Sequence, residues 1–73
     1  MGLIPKTRPV GQVVLVVKDI PLEGRRVVPP GTRVTIANAV IDSTGHVKYM
    51  FRFPDMYGEQ GEYWTKPEYI RSI

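Results

Sequence analysis

The sequence predicts an all-β domain, either a small barrel or a strongly bent antiparallel sheet of four to five strands, with one short helical turn near the C-terminus. Three observations predict it. Seven prolines and seven glycines punctuate 73 residues and leave only short segments between them. Val47, Tyr49, Phe51 and Phe53 alternate with Lys48, Met50 and Arg52, the period of a strand with one buried face. No segment repeats its apolar residues at the spacing of a long amphipathic helix.

Each element follows in order. Pro5 and Pro9 fix φ and remove backbone donors, so residues 1–10 read as an extended tail and residues 11–73 as a single small β domain. Gln12 to Lys18 is valine-rich and predicts a first strand buried on both faces. Ile20 to Thr32 contains Pro21, Gly24, Pro29, Pro30 and Gly31 and reads as a long connecting loop, in which Arg25 to Val28 is a candidate short strand. Arg33 to Asp42 is the next strand. Val34 and Ile36 share one parity while Ala39 and Ile41 take the other, so a bulge is expected at Ala37–Asn38. Asp42-Ser43-Thr44-Gly45 supplies a turn and completes a hairpin from Arg33 to Phe53. Pro54 ends that strand, and Asp55 to Glu62 reads as an exposed acidic loop. Glu62 to Thr65 forms one more short strand, and Lys66 to Ile70 a single tight turn led by Pro67.

Composition narrows the function. Hydrophobic residues are 42% and charged residues 23%, the balance of one globular domain. There is no cysteine, hence no disulfide or thiolate metal site, which suits a reducing compartment and predicts a cytoplasmic protein. The longest apolar run, Val13 to Val17, is far too short for a membrane span, and no signal peptide is visible. His46 is the only histidine and is expected to be a solvated turn residue. Asp42 and Ser43 are better explained by capping their own backbone than by a triad, and Gly58 and Gly61 lack the context of a phosphate loop. The expectation is a protein with no enzymatic activity, no cofactor and no metal.

Net charge is +3, unevenly distributed along the chain. Up to Arg33 there are six cations and two anions; beyond it, four cations and five anions. A basic half beside a weakly acidic half predicts two chemically different surfaces. Four features are candidates for binding. Tyr57 and Trp64 are expected to be exposed anchors, since such aromatics dominate interface energetics. Arg25 and Arg26 are placed to clamp carboxylates or phosphates. The acidic loop suits a basic protein surface. The tail, with Ile4, Lys6 and Arg8, is suited to lying along a sheet edge or in a partner's groove, the plain alternative being a frayed terminus. Tyr49, Phe51 and Phe53 are expected in the core, although with Arg52 they also suggest a single-stranded nucleic-acid-binding β-barrel as the alternative function. A third reading, an assembly adaptor, predicts self-association.

Two resemblances add to this. The order of strand, long loop, hairpin, short strand and proline-led turn, with Pro67, Tyr69 and Ile70 before the last strand, resembles small SH3-like barrels. From Met-Gly-Leu-Ile-Pro-Lys-Thr-Arg-Pro to Tyr-Trp-Thr-Lys-Pro-Glu-Tyr-Ile-Arg-Ser-Ile, the chain resembles the small transcription regulators of Xanthomonas-infecting bacteriophages. That resemblance implies a protein that binds the host bacterial RNA polymerase at the amino-terminal part of its largest subunit, near the flap and the RNA exit channel. It implies weakened sigma engagement, lost host promoter initiation and antitermination, with an elongation factor as a further candidate partner. Direct nucleic-acid contact is left open by it, and it assigns no binding residue.

Overall fold

The computed structural model describes residues 6–73, which fold around a meander of three long strands. Ile4 lies outside the described residues. The valine-rich segment forms β1 (Val13–Val16). Two short strands, β2 (Ile20–Pro21) and β3 (Val27–Val28), pair as a separate hairpin within the long connection. The meander follows as β4 (Arg33–Ile41), β5 (Val47–Pro54) and β6 (Gln60–Thr65). A 3-10 turn at Pro67–Tyr69 leads into β7 (Ile70–Ser72).

The main sheet runs β6-β5-β4-β1-β7 and is antiparallel throughout. The barrel does not close: no ladder joins β6 to β7 among the described residues. The open five-stranded sheet is therefore the form the all-β expectation takes. Its proline-led turn stands where expected, because Pro67 fixes φ at the start of the turn and Ile70 N–H closes it on the Pro67 carbonyl.

Register explains which residues go inside. In β4–β5 pairing the register shifts between Ile36 and Asn38, the expected bulge. It lets Val34, Ile36 and Ala39 face inward on one strand despite their broken parity. Tyr49 and Phe51 are buried and Phe53 is half-buried, so the core expectation holds for the first two. It also removes Tyr49 and Phe51 as a stacking platform. Ile36, Phe51 and Tyr63 form one inward row across three strands, and the Phe51 and Tyr63 rings lie 6.0 Å apart at a tilt. Val14 and Val16, Ile20, Val28 and Ile70 close the core from the other side.

Two expectations are corrected. β1 is buried on one face only: Val14 and Val16 are inside, but Val13 is 46% exposed, because among the described residues no element covers the outer side of the sheet. The acidic segment is a five-residue turn rather than an eight-residue loop, since Gln60, Gly61 and Glu62 already pair with β5. The segment just upstream of β1 is docked. Arg8 N–H donates to the Tyr49 hydroxyl at 2.9 Å, which satisfies a phenol otherwise buried in the core.

Candidate functional site

Two turns of the meander share one backbone design. Each is five residues long and reads Asp-x-x-Gly-x: Asp42 to His46 between β4 and β5, and Asp55 to Glu59 between β5 and β6. In the first, Asp42 Oδ1 accepts from the Thr44 and His46 N–H groups, both at 2.9 Å. In the second, Asp55 Oδ1 accepts from Tyr57 N–H at 2.7 Å and Glu59 N–H at 2.9 Å. Each Asp carbonyl accepts from the glycine N–H, at 3.0 and 3.1 Å, and each turn is closed by the Asp N–H on the fifth carbonyl. Gly45 and Gly58 both take φ of +84°, where a Cβ would be strained. The carboxylate thus replaces the missing ladder bonds, and the glycine supplies the left-handed residue that reverses the chain.

What the two turns carry differs. In the first, the middle positions are Ser43 and Thr44, and the Thr44 hydroxyl donates back to Asp42 at 2.6 Å. That leaves its oxygen to accept from His46 Nδ1, 2.7 Å away. The hydroxyl bond, then the His46 backbone N–H, hold the Asp42 carboxyl down at about 2. In the second, the middle positions are Met56 and Tyr57, 72% and 84% exposed. Both side chains are largely in solvent. Neither composition nor alternation singles out Met56; the repeated Asp-x-x-Gly spacing is the signal that places it beside Tyr57 at a turn apex.

The turn of the β2–β3 hairpin lies against this second apex. Glu23, Gly24 and Arg26 line one side of a groove of about 300 Å³, and Met56, Tyr57 and Tyr63 line the other. The two arginines part company here. Arg26 donates to the Pro54 carbonyl at 2.8 Å and braces the groove, whereas Arg25 is exposed. The expected two-arginine clamp is thereby reduced to one exposed guanidinium and one structural one. Gly61 completes the arrangement: a Cβ there would sit 2.7 Å from the Tyr63 hydroxyl, so its absence lets that ring lie along β6 toward the groove.

The other marked residues lie elsewhere. Trp64, 47% exposed, stands on the outer face of the sheet in a row with Met50 and Asn38. Three to four strand residues, roughly 10–13 Å at ~3.4 Å each, separate it from the start of β6 and hence from the Tyr57 apex. Lys6 is exposed. Arg8 is engaged within the chain, its guanidinium donating to Ser72 Oγ at 2.6 Å and Gln12 Oε1 at 3.4 Å. His46 is exposed on its turn, as expected. Among the described residues no three histidine or acidic side chains gather as metal ligands would, and no helix is long and apolar enough to cross a membrane. Compared with protein-family models, curated proteins and solved structures, the chain matches none.

Proposed function

We propose that this protein is a non-catalytic regulator of phage type that docks on the host bacterial RNA polymerase through the Met56–Tyr57 apex. One observation carries the docking surface: the same turn occurs twice, and the copy filled with Ser43 and Thr44 ties the Thr44 hydroxyl back to Asp42 while the copy filled with Met56 and Tyr57 leaves both side chains largely in water. Turn formation does not need an exposed methionine and tyrosine. A flexible thioether beside a rigid phenol, over a groove that Glu23, Arg26 and Asp55 also line and with the exposed Arg25 next in sequence to Arg26, is the makeup of a protein-binding anchor.

The resemblance to phage regulators supplies the partner, the amino-terminal part of the polymerase's largest subunit near the flap and the RNA exit channel. Occupation of that surface loosens sigma, lowers host promoter initiation and favours readthrough of terminators, all in the host cytoplasm. No turnover is required. An interface of ~800 Å² per partner is a modest share of the 5362 Å² that the chain exposes, so the apex, the groove and the adjoining hairpin turn suffice.

The test is binding to immobilised bacterial RNA polymerase. Met56→Ser combined with Tyr57→Thr rebuilds the first turn's sequence at the second, so thermal stability should stay within ~0.5 kcal/mol. Affinity should fall by at least ~30-fold, the loss of one hot spot of about 2 kcal/mol. Arg25→Ala should slow association and weaken its salt dependence. Undiminished binding of the double variant would take the apex out of the interface, and wild-type protein that passes over the polymerase unretained would remove the partner.

A further inference from the structure

The chain's net charge is not spread over its surface. Val14 and Val16 point inward, so Leu15 points outward, and its partners Arg71 on β7 and Arg33 on β4 share that outer face. Lys48 and Arg52 on β5 face the same way, alternating with the buried Tyr49 and Phe51. Glu62, opposite Arg52, is the one carboxylate on these strands, and the two side chains approach to 3.7 Å while both stay more than half exposed. The outer face thus carries four cations and one acid, a surplus of three that equals the net charge of the whole chain. Everywhere else, from Lys6 to Glu68, six cations meet six acids.

The same face holds the single tryptophan. Trp64 stands beside Met50, with Lys48 and Arg52 at the flanking outward positions of β5, about two residues or ~7 Å along the strand on either side. Past the Ile36–Phe51 pair the β4–β5 ladder ends, and a groove of about 370 Å³ lies there, lined by Arg33, Thr35, Arg52 and Gln60. A flat π-face between cations on an open sheet fits one kind of partner best. An acidic peptide would meet the cations but brings no regular array of flat rings to stack on the indole; a duplex would offer phosphates but no unstacked base. A single strand offers both.

We propose that the outer face of this sheet binds single-stranded polynucleotide, with a base stacked on Trp64 and phosphates held by Arg33, Lys48 and Arg52. This surface is separate from the Met56–Tyr57 apex and does not rest on the polymerase reading. Stacking on one aromatic and contact with about three phosphates give sequence-tolerant, salt-sensitive binding.

The experiment uses the intact protein and a twelve-residue oligothymidylate, with oligouridylate as a second probe. Trp64 is the only tryptophan, so its fluorescence reports this face and no other. Binding at low salt should quench it. Affinity should fall about 20-fold between 50 and 200 mM salt, the slope for roughly three phosphate contacts on a single strand. Arg33→Gln with Lys48→Gln should cut that salt dependence to about threefold, the slope left by a single phosphate contact. Trp64→Leu, followed by anisotropy of labelled oligonucleotide, should cost about 5- to 150-fold, the range for one stacked base. A thermal melt accompanies each variant, and the single Lys48→Gln variant, whose slope should drop by one contact, serves where the double variant melts early. Tyr57→Ala should leave oligonucleotide binding unchanged. Unquenched fluorescence, equal affinity for the same sequence as a duplex, or equally tight competition by polyglutamate would each overturn the proposal.

Discussion

The turns at Asp42 and Asp55 are one backbone solution used twice, and what they hold at the apex sets them apart. Both have the carboxylate bonded to two N–H groups, the glycine at φ +84° and the closing bond between first and fifth residues. The first turn consumes its own polar groups: Thr44, His46 and Asp42 bond to one another. The second presents Met56 and Tyr57 outward over a groove braced by Arg26. Local folding is satisfied equally by either filling, and the proposed docking surface accounts for the apolar one. That internal control is stronger than exposure alone, since single exposed apolar residues are ordinary on any protein surface.

If the two turns are the same object, the same injury should cost them the same. Gly45→Ala and Gly58→Ala each force a Cβ into the left-handed region, and each should destabilise by about 1–2 kcal/mol. No atom lies within 4 Å of either added Cβ, so the cost is backbone strain alone and the two values should agree to ~0.5 kcal/mol. Urea melts of the two variants measure it. A large inequality would show that the turns are held by their surroundings and not by the shared local design.

A smaller effect should separate them. Arg26 ties the β2–β3 hairpin to Pro54 at the root of the second turn, and among the described residues no such side-chain bond from another hairpin braces the first. Arg26→Ala should therefore cost about 0.5–1.5 kcal/mol, the usual range for such a hydrogen bond. Amide exchange should quicken in Asp55 to Glu59 and stay unchanged in Asp42 to His46. Equal protection in both turns would mean that the arginine only decorates the groove.

Much of this was legible in the chain. Alternation from Val47 to Phe53 gave the strand and its inward face, and the parity break after Ile36 located the bulge, because both depend on nearest neighbours along one strand. The basic face was not legible from the two halves of the chain. Arg33 lies in the basic half and Lys48, Arg52 and Arg71 in the acidic one, and only strand pairing across β7, β1, β4 and β5 brings them to one side. Arg25 and Arg26 looked equivalent as neighbours, yet one faces solvent and the other a carbonyl 28 residues away. The repeated Asp-x-x-Gly was in plain sight; its meaning emerged only when the two apices were compared for exposure.

The gentlest probe of the comparison is acid. Asp42 lies well below the ordinary carboxylate range, at about 2 against 3.8, first because the Thr44 hydroxyl donates to it and next because the His46 N–H does. A carboxyl lowered by folding favours the folded state above its unfolded value, and that contribution drains away as pH falls from about 4 toward 2. Asp42→Asn keeps an acceptor oxygen for the backbone but loses the charge. Above pH 5 the variant should melt below the wild type; between pH 4 and 2 the gap should close as the Asp42 carboxylate takes up its proton. Thr44→Val, which removes the leading donor, should shift the closing of that gap upward in pH. A gap that stays constant down to pH 2 would mean the charge of Asp42 contributes nothing to the turn, and the first copy of the design would then stand on its backbone bonds alone.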